Sequence, residues 1–407
     1  MNEVEHIATA QSPQSVRTRF AAAASDRIWH ALLAAVRKAY AKQAYPLGYS
    51  PGLDGLRGVM TIGVLLAHIR GPLAPGAILG MDIFFVMSGY FITALLLRDW
   101  TRHGHIRFGS FYARRFARIL PPFAIMIAAY LAFCFFFLPD FRASVIDAAV
   151  AFGYAENLWR AGLLPWIPEV KTSYLGHAWS LAIEEQFYLV WPWLLALLLR
   201  IIGIGWRLFW VIAAIAAAIW VWRITATWQG MPYARLYNGT DMRADALMIG
   251  CGLAVWLRLV PLDSYPRLTR AILSAAWPLL IMFILMGMVI GMSEKEHFYY
   301  YAGSVLCGAL PGAIMIVILT RPTRTVLHRV FEQRPLVFLG RIFYALYLWH
   351  YPVFEIMNWH YGLRAGTRAL IGLPLVFLLA VLSYALVERH FMRTAKKAPA
   401  QPVTATA

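Results

Sequence analysis

Acidic residues are scarce in this chain. Asp and Glu number 20 against 37 Lys and Arg, and the four types together make up 14% of 407 residues. A soluble globular domain carries roughly 25%, so the deficit excludes a protein whose whole surface meets water. Cysteine is nearly missing. Cys134, Cys251 and Cys307 all lie in apolar stretches, where they read as small hydrophobes, and neither a disulfide framework nor a metal cluster is expected. A secretory leader is lacking too: residues 1–20 are polar, with no apolar segment ahead of a cleavage site, so no signal peptide is expected. No internal repeat is visible.

What the chain has instead is apolar length. Hydrophobic residues make up 60%, and the stretches 124–138, 208–221, 277–291 and 305–320 carry no charged residue at all. A membrane-spanning helix takes about 20 mostly apolar residues. Hydropathy places ten such spans near 53–70, 80–98, 119–138, 177–199, 208–226, 241–257, 272–291, 301–320, 335–358 and 368–388. The expected fold class is therefore all-α: a polytopic transmembrane helical bundle of about ten spans with both termini cytosolic. It would consist of a tail (1–52), a membrane domain (53–391) and a disordered tail (392–407), with no room for a large soluble domain. Residues 26–43 form an amphipathic pattern with Arg27, Arg37, Lys38 and Lys42 on the polar side. Such a segment suits the inner leaflet, or else is a tail without a role.

The net charge of +17 invites a nucleic-acid partner, but the distribution of charge argues against one. With the N-terminus inside, 25 of the 37 basic residues fall in inside segments and about 9 outside, among them Arg142, Arg160, Lys171, Arg235, Lys295 and Arg364. This is the positive-inside bias, and it predicts a multi-pass protein of the cell inner (plasma) membrane. Some cytosolic arginines remain for an anionic ligand.

Charges inside spans are expensive and mark candidate sites. The first span holds Arg57 and His68, eleven residues apart. Eleven steps of about 100° bring both to one helix face, roughly 16 Å apart along the axis. They are a functional pair, or a snorkelling anchor and an interfacial histidine. Asp82 opens the second span, with Ser88 mid-helix; Asp82 is a site residue or a helix N-cap. Arg114, Arg115 and Arg118 cluster before Pro121 and Pro122, which are expected to perturb the third helix. Arg115 and Arg118 share a face. Paired guanidinium forks suit phosphate, while the plainer reading is topological anchoring. Glu184 and Glu185 sit two turns into the fourth span, and at least one of them requires a cation, a histidine or a polar cavity. Asp241, Arg243 and Asp245 open the sixth span, where a local ion-pair network is expected. Arg341, Tyr347 and His350 belong to the ninth span.

In order along the chain, these segments read LDGLRGVMTIGVLLAH, GMDIFFVMSGYFIT, FYARRFARILPP, HAWSLAIEEQFYLVWP, DMRADALMIG and FLGRIFYALYLWHYPVF, closing on VERHF. Their conjunction resembles the membrane-bound acyltransferase family 3, bacterial O-acyltransferases that modify cell-surface glycans and some small molecules. The departures are Phe343 in place of a common serine, Tyr351 in place of tryptophan and His390 in place of proline; none touches the charged candidates. The C-terminal SGNH-type hydrolase-like domain that some relatives append is not expected, nor is a two-step scheme relying on it within this chain.

The resemblance implies transfer of an acyl group, usually acetyl, from cytosolic acyl-CoA to a hydroxyl of a glycan, glycolipid or small molecule. Acyl-CoA is a donor substrate, so neither a permanently bound cofactor nor a metal is expected; the partners are donor, acceptor and membrane lipids. It implies His68 as the base or a transient acyl carrier, since imidazole is readily poised for proton transfer near neutral pH. Arg57, Arg115 and Arg118, with Arg114 beside them, would hold the donor. Glu184 or Glu185 would hold an imidazole or sugar hydroxyls. Asp82, Ser88, His177, Asp241, Arg243, Asp245, Arg341, Tyr347 and His350 remain substrate contacts or structural groups. Two other classes are a transporter or flippase, whose charges would line a path, and a non-catalytic scaffold. The missing repeat speaks against the first, and the buried charges against the second.

Overall fold

Apolar runs of this length fold as helices in a bilayer because a helix satisfies its backbone polar groups within one segment. The computed structural model describes residues 50–69, 80–170, 172–292, 304–321 and 323–392, and no strand occurs among them. The amphipathic pattern at 26–43, the polar stretch 1–20 and the tail from 393 lie outside the described residues.

The helices in chain order are α1 (Pro51–His68), α2 (Gly80–His103), α3 (Phe108–Phe137), α4 (Phe141–Phe152), α5 (Glu156–Arg160), α6 (Ala178–Ile202), α7 (Trp206–Trp228), α8 (Tyr233–Asn238) and α9 (Thr240–Leu259). They continue with α10 (Pro266–Met292), α11 (Leu310–Thr320), α12 (Val326–Phe331), α13 (Arg334–Arg341), α14 (Phe343–Glu355) and the closing helical segment α15 (Ala365–Met392). Each of the ten apolar stretches overlaps one or more of these. Five helices, α2, α3, α6, α7 and α15, are long and apolar enough to cross a membrane. Their outer faces carry the residues lipid would cover: Phe136 is 75% exposed and Leu370 77%.

Two expectations change. α3 runs unbroken through Pro121 and Pro122. Each proline removes one ladder hydrogen bond, to the carbonyls of Ala117 and Arg118, and crowds the preceding turn, yet the helix continues to Phe137. The single span drawn over 335–358 is two helices, α13 and α14, broken at Ile342. The break leaves α13 lying backbone to backbone along α1: a Cβ on Gly340 would fall 1.7 Å from the Asp54 carbonyl oxygen. Between α2 and α9 the same close approach occurs, with a Cβ on Gly89 falling 2.0 Å from the Leu247 carbonyl oxygen. Small residues at such seams let membrane helices pack without a hydrophobic driving force.

Buried charge ties the bundle across helices. Asp82 of α2 meets Arg243 of α9 at 2.9 Å, and Asp245 of α9 meets Arg223 of α7 at 2.6 Å, all four side chains being at most 1% exposed. Asp241 instead takes both Nη atoms of Arg235, at 2.8 and 2.7 Å. The expected local network at the start of α9 is thus three separate pairs with partners on three other elements. Unpaired charges at such depth are not tolerated, so these pairs fix how α2, α7 and α9 are rotated. Asp82 serves this role rather than a capping one.

Candidate functional site

α1, α2, α3, α6 and α14 enclose a cavity of about 300 Å³. Its wall is apolar over Val64, Leu65, Met87 and Ile92, and polar at both ends.

One end is cationic. Arg57, Arg114, Arg115 and Arg118 all line the cavity. Arg57 pairs with the buried Asp54 at 2.9 Å, and its guanidinium stands 4.5 Å from the Phe91 ring centroid. The second carboxylate oxygen of Asp54 faces Arg341 Nε at 3.9 Å, so Arg341 helps hold Arg57's partner and is itself not a lining residue. Arg115 lies 3.6 Å over the Tyr188 ring and 3.7 Å from Glu185 Oε1, a cation held by an aromatic face and a carboxylate together. Arg114 is exposed and hydrogen-bonds Ser110, while Arg118 is half-buried. Four basic side chains and the carboxylates Glu184 and Glu185 line this end, and Asp54 holds Arg57 from outside the lining.

The adjacent glutamates diverge, as residues about 100° apart on a helix must. Glu184 accepts from Ser88 Oγ at 2.8 Å and from Tyr188 Oη at 3.1 Å. Glu185 faces Arg115. Both line the cavity, and both support its cationic end through Tyr188 and Arg115.

The other end is built of imidazoles and hydroxyls. His350, fully buried, lines the cavity with Ser180 and Tyr347. Its Nδ1–H donates to the Tyr347 carbonyl at 2.7 Å, which puts the neutral ring's lone pair on Nε2. That atom is buried and has no hydrogen-bond partner among the described residues. His68 is not in the lining; it touches His350 edge to face, with ring centroids 5.0 Å apart. Its own Nδ1–H donates to the Val64 carbonyl at 2.9 Å, so Nε2 again carries the lone pair. His177 completes the group, 5.4 Å from His350 and stacked on Tyr351 at 5.0 Å. Tyr347 Oη donates to the His177 carbonyl and lies 2.6 Å from Ser180 Oγ. Among the described residues, no set of three or more His, Cys, Asp or Glu side chains could hold a metal ion.

The structure thus gathers Arg57, Ser88, Arg114, Arg115, Arg118, Glu184, Glu185, Tyr347 and His350 around one cavity, with His68 and His177 joined to it through His350. Asp82, Asp241, Arg243 and Asp245 lie away from it, in the ion pairs of α2, α7, α8 and α9. Sequence reasoning passed over Asp54, Ser180 and Tyr188. The signals were present: Asp54 stands three residues before Arg57, and Tyr188 one turn after Glu184, both spacings that bring helical side chains together.

Comparison with known proteins adds three findings. A family model described as an acyltransferase domain matches residues 50–387. The chain is 34% identical to the peptidoglycan O-acetyltransferase OatA of Listeria monocytogenes over 84% of its own length and 56% of that protein's. It is also 31% identical to a provisionally named O-acetyltransferase of Staphylococcus aureus, over 86% of this chain and 58% of that one. The chain therefore spans somewhat more than half the length of these curated relatives. No solved structure matches it.

Proposed function

The chain belongs to the acyltransferase 3 family, and from that premise we propose that it is a membrane O-acyltransferase moving an acetyl group from cytosolic acyl-CoA to a hydroxyl of a cell-surface glycan or glycolipid. The observation that carries the reading is one cavity with four arginines at one end and an imidazole cluster at the other. Relatives named for peptidoglycan O-acetylation support a glycan as the acceptor.

The donor's phosphates meet the arginine end, with Arg114 at the exposed rim and Arg115 and Arg118 further in. Guanidinium forks are the side chains best matched to phosphate oxygens. The apolar mid-section, walled by Val64, Met87 and Ile92, accepts the acyl-bearing thiol arm and keeps water from the thioester. His68, which touches His350 just outside the lining, takes the proton of the acceptor hydroxyl on Nε2. The freed oxygen attacks the thioester carbonyl, the C–S bond breaks, and the coenzyme A thiolate leaves, taking the proton back from the His68 imidazolium. The acetyl ester remains on the acceptor. Imidazole is the side chain most readily poised for proton transfer near neutral pH.

The test is to incubate purified protein with radiolabelled acetyl-CoA and a glycan acceptor. Thioester consumption with label appearing in the acceptor is the expected result. Folded protein that consumes no thioester with any glycan acceptor would overturn the reading. Comparing surface glycans of a deletion strain with wild type by mass spectrometry then names the acceptor.

A further inference from the structure

A further cation stands next to the imidazole cluster, away from the arginine-lined end. Arg160, the last residue of α5, donates from Nε to Glu156 Oε1 at 2.7 Å; its side chain is 32% exposed, while that of Glu156 is fully buried. Neither Nη atom is hydrogen-bonded among the described residues. The guanidinium is therefore hydrogen-bonded at one corner, on a side chain that is partly exposed.

Its position is set by a glycine. A Cβ on Gly176 would fall 2.0 Å from Arg160 Nη2 and 2.9 Å from Tyr351 Oη. Only a residue without a side chain lets these two groups converge over the backbone just before His177. Tyr351 in turn stacks on His177 and meets His68 edge to face, with ring centroids 5.1 Å apart. One tyrosine thus stands between the partly exposed Arg160 side chain and His68.

The acids nearby are Glu156 and Asp147, both buried. Burial pushes the Glu156 carboxyl up, against the opposing pull of Arg160, and burial likewise raises Asp147. Glu156 Oε2 is buried with no hydrogen-bond partner among the described residues, so the pairing with Arg160 is one-pointed rather than a closed fork-to-fork bridge.

We propose that Arg160, placed by Gly176 and bordered by Tyr351, is the acceptor-positioning residue and binds an anionic group, carboxylate or phosphate, on the saccharide whose hydroxyl is brought to His68. The inference rests on the acyl-transfer reading for its purpose, but its test needs no transfer. A guanidinium fork takes either anion through two parallel hydrogen bonds, and neutral sugars offer it nothing comparable.

The probes are methyl β-glucuronide, glucose 6-phosphate and the uncharged methyl β-glucoside, each titrated by saturation-transfer NMR against the full chain in lipid nanodiscs. Wild type is expected to bind at least one charged probe about tenfold tighter than the glucoside, the scale of one charge-assisted contact. Preference between the two charged probes tells carboxylate from phosphate. Arg160→Gln should erase the margin. Arg160→Lys, which keeps the charge and the partner Glu156 but loses the fork, should retain only part of it, and it serves as the readout if Arg160→Gln lowers the melting temperature. Equal affinity for charged and neutral probes in wild type overturns the inference, as does a margin that survives Arg160→Gln or is undiminished in Arg160→Lys. Failure of acetyl-CoA consumption, measured separately, would count against the acyl-transfer reading alone.

Discussion

His68→Gln separates chemistry from architecture at the imidazole end. Among the side chain's structural contacts is a hydrogen bond from Nδ1–H to the Val64 carbonyl at 2.9 Å. Losing such a bond costs about 0.5–1.5 kcal/mol, and glutamine, with its own amide N–H, can replace part of it. Losing a general base costs 10²–10⁴ in rate, or roughly 3–5 kcal/mol of transition-state stabilisation. The catalytic term is thus several times the structural one, and the two read out in different assays. Acyl-CoA binding by calorimetry and the melting temperature should stay near wild type, while thioester consumption falls by two orders of magnitude or more. His68→Ala should behave the same way, since alanine is a good helix former. Retention of more than about a tenth of wild-type turnover, measured against that catalytic range, refutes the role of His68. His350 then inherits it, because it lines the cavity and its Nε2 has no hydrogen-bond partner among the described residues.

Arg118→Ala should weaken acyl-CoA binding by roughly 10- to 150-fold, the value of one charge-assisted contact, in protein of unchanged melting temperature; unchanged affinity in the Arg115→Ala/Arg118→Ala double variant returns both to topological anchors. Arg243→Leu should destabilise the fold by about 3–5 kcal/mol by stranding Asp82, and adding Asp82→Leu should recover part of that loss in thermal or denaturant unfolding; no recovery means the two side chains are not coupled. Reporter fusions near Glu294 and at Ala407 should report opposite sides of the membrane; the same side for both means the number of spans between them is wrong.

The helices were legible because uninterrupted apolar runs of this length have few alternatives, and each of the ten stretches overlaps helix. The cavity residues were legible for a related reason. In a sequence with 14% charged residues, Arg57, Glu184 and Glu185 stand out where a soluble protein would hide them among dozens of surface charges. Partnership between helices was not legible. Asp82 and Arg243 are far apart in sequence yet 2.9 Å apart in space, and Asp54, three residues from Arg57, also faces Arg341 at 3.9 Å from near the other end of the chain.

The period of about 100° per residue fixes which side chains share a face of one helix. It leaves open how neighbouring helices are rotated and tilted, and partnership depends on that. Arg160 shows the consequence most sharply. In the sequence it is one of several outside-loop cations, indistinguishable from Arg142 or Arg364. Only the missing side chain of Gly176 and the placement of Tyr351 carry it to the edge of the histidine cluster. A charge in an apolar run announces that a partner exists, because an unpaired one would be too costly. A charge in a loop announces nothing, because water satisfies it equally well wherever it lies, and its role becomes visible only when the fold removes part of that water.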